Sequence, residues 1–491
     1  MSHSTRHKRR RSRSNDRFDT QMIANGVLLI LFALLAGIAS YTMYAHNILA
    51  FRHVNVIYTA VLVVVFLVCL LLTLFKKGKH LVTVLLVLFS IVVGVSLFAF
   101  KSLVDVADNI NKTASYSEIE MKVVVPANSS ISDVSELTNV QAPTSADESN
   151  INALIANIKS EKGVELTVDP VDSYQSAYEN LINGNSQAMV LNSSYSSLLE
   201  LSYNDYESNL KTIYTYKIKK AIEDTAKTTD KNVFNIYISG IDTSGAVSTV
   251  SRSDVNLILT VNMNTHKILM TTTPRDSYVR IPDGGADQYD KLTHAGIYGI
   301  ETSVKTLENL YDIPINYYAR LNFTSFVKLI NALGGVTVYN DQAFTSLHGN
   351  YNFGVGNINL TSGEEALGFV RERYSLEHGD YDRGNNQLKV IQAIVEKLTS
   401  FQSVSNYSDV ISTLQDSIQT NMPLNTMMSL VNEQLDSGKT FIFSSQEVTG
   451  TGSTGQLTSY AMPNASLYMI QLDDASVAKA SQAIKNVMEG K

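Results

Sequence analysis

Three unbroken apolar stretches open the chain, at residues 22–44, 54–75 and 81–100. Each is about 20 residues long, enough for a helix to cross the hydrocarbon of a bilayer at about 1.5 Å per residue. The first follows "RHKRRRSRSNDR", and the second and third are joined by "KKGKH". The loop "AHNILAFRH" between the first and second carries a single Arg. Excess positive charge stays on the cytoplasmic side, so residues 1–21 are expected to be a cytoplasmic basic tail and residues 22–100 three transmembrane helices. Everything after Lys101 is then expected outside a cell membrane that the chain crosses several times. No small-x-small cleavage site follows the first stretch, which argues for an anchor rather than a removed signal peptide.

From about residue 116 the apolar positions take on shorter periods. "EMKVVVP", "VELTVDP" and "SQAMVLN" predict strands, and "DESNINALIANIKS" and "SYQSAYENLING" predict amphipathic helices. Residues 116–228 are therefore expected to form a small extracellular α/β accessory domain. Residues 231–491 alternate in the same way on a larger scale. "VFNIYISGIDT", "DVNLILTVNMNTHKILMTTTPRD", "INYYARLN" and "VTVYN" carry strands. "GIETSVKTLENLYD", "FTSFVKLINALGG" and "SGEEALGFVRER" are helical, as are residues 383–400, 406–417 and 475–489. The expected class is α/β, with helices on both faces of a sheet in an α/β/α sandwich. The stretch "SSQEVTGTGSTGQLTSYAMPNAS" predicts a strand followed by a mobile loop.

Charge changes the picture more than length does. The first 101 residues hold 12 of the 39 Lys and Arg but two of the 46 Asp and Glu, so the body after Lys101 carries a net charge of about −17. A body this acidic is unsuited to nucleic acid, which needs a broad basic face. The short basic tail holds no readable DNA-binding module, and a topogenic signal accounts for it. Any anion must therefore be held at one prepared spot. The body's seven arginines, Arg252, Arg275, Arg280, Arg320, Arg371, Arg373 and Arg383, all fall within one third of it, whereas its lysines are spread from end to end. Guanidinium grips phosphate in a bidentate fork, while ammonium acts as a point charge. Structural Arg–carboxylate pairs would account for any one of these arginines singly. The one cysteine, Cys69, excludes an intrachain disulfide.

Four short motifs supply candidate chemistry, at strand ends where ligands of α/β sheets bind. In "GIDTSGAVSTVSRSD", Asp242 follows one strand and Arg252 and Asp254 precede the next, an arrangement that suits a hard cation sharing phosphate oxygens. In "TTPRDSYVRIP", Arg275 leaves a strand beside Asp276. In "KLTHAGIYG", small and polar residues surround His294 at a helix start. In "VRERYSLEHGDYDRGNNQ", an extended chain would aim Arg371 and Arg373 to one side. Arg383 and Gln387 would share a face at a helix N-terminus. Three guanidiniums and a helix N-terminus at one point call for an anion. A pyrophosphate with its divalent cation meets that need, and Asp380 and Asp382 in the same turn are the alternative partners.

The order "GIDTS…SRSD", "PRDSYVRIP", "KLTHAGIYG", "LTSGEEALGFVRER" and "DRGNNQ" resembles the LytR-CpsA-Psr family. Three membrane spans and an intervening domain look like its capsule-associated CpsA branch in Gram-positive bacteria of streptococcal type. The resemblance implies a Mg²⁺-dependent phosphotransferase that moves a capsular polysaccharide from an undecaprenyl-pyrophosphate carrier to peptidoglycan, with pyrophosphatase as a conceivable side activity. It implies Asp242 and Asp254 as metal ligands, and Arg252, Arg275, Arg371, Arg373, Arg383 and Gln387 as pyrophosphate-binding residues. Many relatives place a further Arg where this chain has Asn386. In such a transfer Arg275 is expected to stabilise developing charge and Asp380 to orient or deprotonate the attacking hydroxyl. Leu257, Leu259, Phe326 and Ile330 are candidates to line a slot for the prenyl tail. The accessory domain is the expected contact for capsule-machinery proteins. The alternatives are a membrane-bound regulator that binds polyprenyl pyrophosphate without turnover, and a scaffold.

Overall fold

The computed structural model describes residues 20–222, 232–241, 247–400, 410 and 418–491, with backbone alone at 380 and 399. The chain divides into two compact units, Met1–Val104 and Asp105–Lys491.

In the first unit, helices α1 (Thr20–Ala45), α2 (Val54–Leu74) and the start of α3 (Lys79–Ala114) are long and apolar enough to cross a membrane. Phe32, Leu62, Cys69 and Leu86 are buried between them, while Ile30, Leu34, Leu71 and Val84 point outward. Outward-facing aliphatic side chains of this kind suit lipid. A polar pin fixes register: Asn25 Nδ2 donates to the Lys79 carbonyl (3.0 Å) and Thr83 Oγ1 donates to Asn25 Oδ1 (2.6 Å).

The second unit contains two main sheets. Residues 116–221 run β1 (Tyr116–Pro126), β2 (Asn139–Ala142), α4 (Thr144–Lys162), β3 (Thr167–Pro170), α5 (Tyr174–Ile182), β4 (Met189–Asn192), α6 (Ser196–Ser202) and β5 (Leu210–Ala221). Their strands order as β3-β2-β4-β1-β5. The remainder runs β6 (Val233–Ile241), β7 (Ser253–Asn262), β8 (Lys267–Thr272), β9 (Tyr278–Ile281), β10 (Gln288–Lys291), α7 (Ile300–Tyr311), β11 (Tyr317–Asn322) and α8 (Phe323–Ala332). After these come β12 (Val336–Asn340), β13 (Phe344–Thr345), β14 (Asn352–Phe353), β15 (Gly356–Leu360), α9 (Gly363–Arg371) and α10 (Asp380–Thr399). The chain closes with β16 (Ile418–Thr420), α11 (Leu424–Ser437), β17 (Ile442–Glu447), β18 (Gly450–Thr454), β19 (Tyr468–Leu472) and α12 (Asp474–Met488).

Six of these strands form the central sheet, in the order β16-β11-β6-β7-β8-β17. The two-residue alternation of β6 decides which layer each side chain joins. Tyr237 enters a core with Ile300, Val304 and Leu307 of α7 and Ile484 of α12. Its neighbours Ile236 and Ile238 face Leu388 and Ile391 of α10 and Leu430 of α11. This is the expected three-layer sandwich. The two sheets belong to one compact unit and share a further core, in which Tyr174, Tyr178 and Leu198 pack with Ile297, Met462 and Met469.

Several expectations need correction. The glycine- and serine-rich stretch is not a free loop: β18 pairs with β19, and Ser459, Ala461 and Met462 are buried. A carboxylate distant in sequence, Asp290, anchors it, accepting from Ser459 Oγ (2.7 Å) and the Ala461 N–H (2.8 Å). Helix α11 was not anticipated, because its polar residues and the Pro423 before it obscure the apolar stripe of Leu424, Met428 and Leu435. Helix α10 begins three residues earlier than Arg383. Apart from Val410, the helix expected at 406–417 lies outside the described residues.

Candidate functional site

Between the central sheet and helices α10 and α11 lies a cavity of about 920 Å³, at the upper end of ordinary ligand pockets. Ile236, Ile238 and Leu259 wall it from the sheet, Ile391 and Val395 from α10, and Leu430 from α11. Protein interiors close-pack, so an apolar cavity of this size leaves room for a ligand. Of the four residues proposed for an apolar slot, Leu259 and Phe326 line it, whereas Leu257 and Ile330 are packed into the neighbouring cores.

Arg252, Arg275, Arg371, Arg373, Arg383 and Gln387 line this same cavity, together with Asp254. The body's other two arginines do not. Arg320 is buried and donates to the carbonyls of Val247 (3.2 Å) and Thr249 (2.9 Å), and burial lowers its guanidinium to about 10. Arg280 is exposed on β9, where its Nε donates to the Asp287 carbonyl at 3.0 Å.

Local structure explains how each group arrives. Arg252 is buried just before β7, and the backbone of Gly296 lies against it. A Cβ on Gly296 would stand 2.5 Å from the Ser251 carbonyl and 2.8 Å from the Ser253 nitrogen, so only glycine permits this approach. Arg275 lies three residues past β8. Its Nη1 meets Asp254 Oδ1 at 2.9 Å, and Thr293 Oγ1 donates to the same oxygen at 3.3 Å. The sequence neighbour Asp276 is farther from Arg275, at 3.8 Å, because the buried Lys291 takes it at 2.5 Å. Burial works to raise the Asp254 carboxyl, but Arg275, Arg252 and Arg383 outweigh it and hold it below the usual carboxylate range.

Arg371 is the last residue of α9, not part of an extended run. Glu372 then turns the chain with extended dihedrals (φ −62°, ψ 138°), delivering Arg373 to the cavity all the same. The turn is built by the buried Glu372 carboxylate, which accepts from the N–H groups of Leu347 (2.6 Å), Arg373 (2.9 Å) and Ser375 (2.9 Å). Arg371 lies 4.3 Å over the Phe323 ring, and Arg373 lies 4.4 Å over Tyr374, to whose hydroxyl it also donates. Arg383 and Gln387 occupy the opening turns of α10, where the helix dipole adds positive potential. Asp382 accepts from Gln342 Nε2 (2.7 Å) and the His378 N–H (2.9 Å), so it is engaged away from the arginines. Asp242 and the Asp380 side chain lie outside the described residues.

His294 is scaffold: it is buried inside a short 3₁₀ turn, with Nδ1 at 2.8 Å from Asp290 Oδ1. Lys291 and Glu372 were missed from sequence, since a lone Lys or Glu carries no spacing signal. Glu447 was missed too. It ends β17 against the first turn of α10, where a Cβ on Gly384 would lie 3.7 Å from its Oε1. Its Oε2 is buried without a hydrogen-bond partner among the described residues, and burial pushes the carboxyl up to about 7. The folded protein thus keeps a proton that the unfolded chain releases near 4.5, so stability falls as pH rises from there through about 7. Glu447→Gln should therefore raise Tm relative to the parent at about pH 8 and not at about pH 4. An equal shift at both would show that this carboxyl does not titrate in that window.

Among the described residues no three His, Cys, Asp or Glu side chains group as a metal cage. One ionised carboxylate, Asp254, with remaining positions left to water and phosphate oxygens, fits the way Mg²⁺ is commonly held.

The family model "LytR_cpsA_psr family" matches residues 200–476, over half of the chain. The chain belongs to that family. It is 33% identical over 282 residues to the polyisoprenyl-teichoic acid–peptidoglycan teichoic acid transferase TagU of Enterococcus faecalis, covering 56% of this chain and 87% of that one. Against TagU of Oceanobacillus iheyensis it is 35% identical over 232 residues, covering 46% and 69%. The crystal structure of B. subtilis TagU superposes with a TM-score of 0.41 at 28% identity, covering 53% of this chain and 98% of that one. A second model, "DNA polymerase processivity factor", matches residues 76–191. That stretch includes much of an apolar helix, and residues 116–191 carry three lysines against eleven acidic residues, which is the wrong sign for a DNA-facing surface.

Proposed function

We propose that this protein transfers a glycopolymer from a polyprenyl-pyrophosphate carrier to peptidoglycan, from a domain on the outer side of the cell membrane. The observation that carries the reading is the continuity of five arginines with an apolar cavity large enough for a prenyl chain. The naming of its relatives as polyisoprenyl-linked teichoic acid transferases supports the reaction class. A capsular polysaccharide is the proposed polymer, on the strength of the three-span, extra-domain layout.

In the reaction proposed, a peptidoglycan hydroxyl attacks the phosphorus that bears the sugar. A new P–O bond forms, the bond to the bridging pyrophosphate oxygen breaks, and its electron pair leaves with polyprenyl phosphate. The hydroxyl proton passes to a base, for which Asp380 is proposed. Arg275 neutralises charge on the departing phosphate, and the other arginines with Gln387 fix the two phosphates in line. Bound Mg²⁺ would draw charge from phosphate oxygens, with Asp254 and Asp242 as its proposed protein ligands. Positioning and neutralisation are what phosphoryl transfer demands of a protein.

Purified protein given a polyprenyl-pyrophosphoryl saccharide and a peptidoglycan fragment should release polyprenyl phosphate, and Asp254→Asn should weaken the Mg²⁺ dependence of that release. Tight lipid binding without release would instead make this a regulator that reads the carrier.

A further inference from the structure

Helix α6 straddles the start of the family match at residue 200, and it contributes to the wall of the arginine cavity. Leu198 and Leu199 are buried in the core shared by the two sheets, which fixes the helix on its inner side. Ser197, Glu200 and Leu201, spaced i, i+3 and i+4 and so on one face, line the cavity. Glu200 and Leu201 are exposed, as is Tyr374, which lines the cavity beside Arg373, so these residues mark its mouth. Ser197 Oγ is buried with no hydrogen-bond partner among the described residues.

The cavity's other surfaces are spoken for in the proposed reaction: arginines for phosphate, aliphatic walls for the chain. An exposed carboxylate and an exposed aromatic ring at the mouth, with the buried, unpartnered Ser197 hydroxyl one helical turn from that carboxylate, do not suit either. They suit a neutral polyhydroxyl ligand, because a carboxylate accepts from adjacent hydroxyls, a serine both donates and accepts, and an aromatic ring covers a C–H face. A negative charge at this point also disfavours a further anion. Resting on the function proposed above, we infer that Ser197 and Glu200 of α6, with Tyr374, form a subsite for a sugar residue, through which the accessory segment takes part in substrate recognition. The sugar is either the one borne by the donor pyrophosphate or the one that offers the attacking hydroxyl.

The test uses full-length protein in detergent, with Glu200→Gln and Ser197→Ala, and three probes: sugar-free polyprenyl pyrophosphate, a polyprenyl-pyrophosphoryl saccharide, and a peptidoglycan fragment as acceptor. Loss of a hydrogen bond to a charged group should weaken one saccharide readout about tenfold or more. A donor-sugar site appears as weaker binding of the saccharide lipid alone, and an acceptor site as a raised acceptor KM with donor binding intact. Binding of sugar-free lipid should stay within about twofold. If neither saccharide readout moves, or if sugar-free lipid weakens in parallel, α6 merely shapes the cavity and the subsite is overturned. Parent protein that fails to bind sugar-free polyprenyl pyrophosphate would instead refute the carrier reading, independently of α6.

Discussion

Replacing Arg275 with lysine should lower transfer about 10²- to 10³-fold, the usual cost of removing one donor from a preorganised clamp on developing charge. The charge itself survives the substitution, so the loss measures geometry. Arg275 meets Asp254 through Nη1, and the planar fork of the guanidinium is what would let one side chain address that carboxylate and a phosphate in fixed directions. Lysine at 275 would meet Asp254 as a point charge and have no second arm. Arg371→Lys and Arg373→Lys should be similarly harmful, with the cation–π seats on Phe323 and Tyr374 weakened in addition. The measurement is single-turnover release of polyprenyl phosphate, alongside Tm without lipid. Near-parental rates in all three variants, or a ligand-free stability loss of several kcal/mol with turnover intact, would make these arginines structural ion-pair partners.

The sandwich, the three apolar helices and the arginine set were legible because each is written in periodicity or in an uneven distribution. Arginine confined to one third of an acidic body is a pattern along the chain, and the cavity gathers five of those seven residues. The groups that hold them are written in single residues that no period marks. Lys291 takes Asp276 so that Arg275 can face Asp254, and Glu372 ties three backbone N–H groups into the turn that presents Arg373. Both depend on partners close in space but not regularly spaced in sequence. The same holds for Asp290, whose bonds to Ser459 and Ala461 turn an apparently loose stretch into fixed structure. The extended reading of Arg371 failed for a related reason. The helix capped by Ser362 runs on to Arg371 itself, and the two side chains converge through the turn at Glu372 instead of through strand alternation. The role of α6 was invisible, since a seven-residue helix in a region without arginine gives no hint that it reaches the arginine cavity.

The apolar cavity carries the other large effect. Ile236 points from β6 into it, so Ile236→Phe should place the added ring atoms in the cavity rather than in a filled core. In a close-packed core the same enlargement costs about 1 to 3 kcal/mol of stability; here stability should change by less than about 1 kcal/mol. What should fall is affinity for long prenyl chains. Each buried methylene contributes about 0.8 kcal/mol, so displacing one five-carbon isoprene unit removes roughly 3 to 4 kcal/mol, or about 10²- to 10³-fold in Kd. The loss should depend on chain length: a short-chain pyrophosphate held chiefly by the arginines should bind the variant nearly as well as the parent. Combining Ile236→Phe with Arg371→Lys should then give additive free energies for the long-chain lipid, because the two changes act on chain and phosphate separately. Equal losses for short and long chains would mean that Ile236 supports the arginines and not the prenyl tail. Unchanged lipid binding with a stability loss of about 2 kcal/mol would mean that this wall is ordinary core.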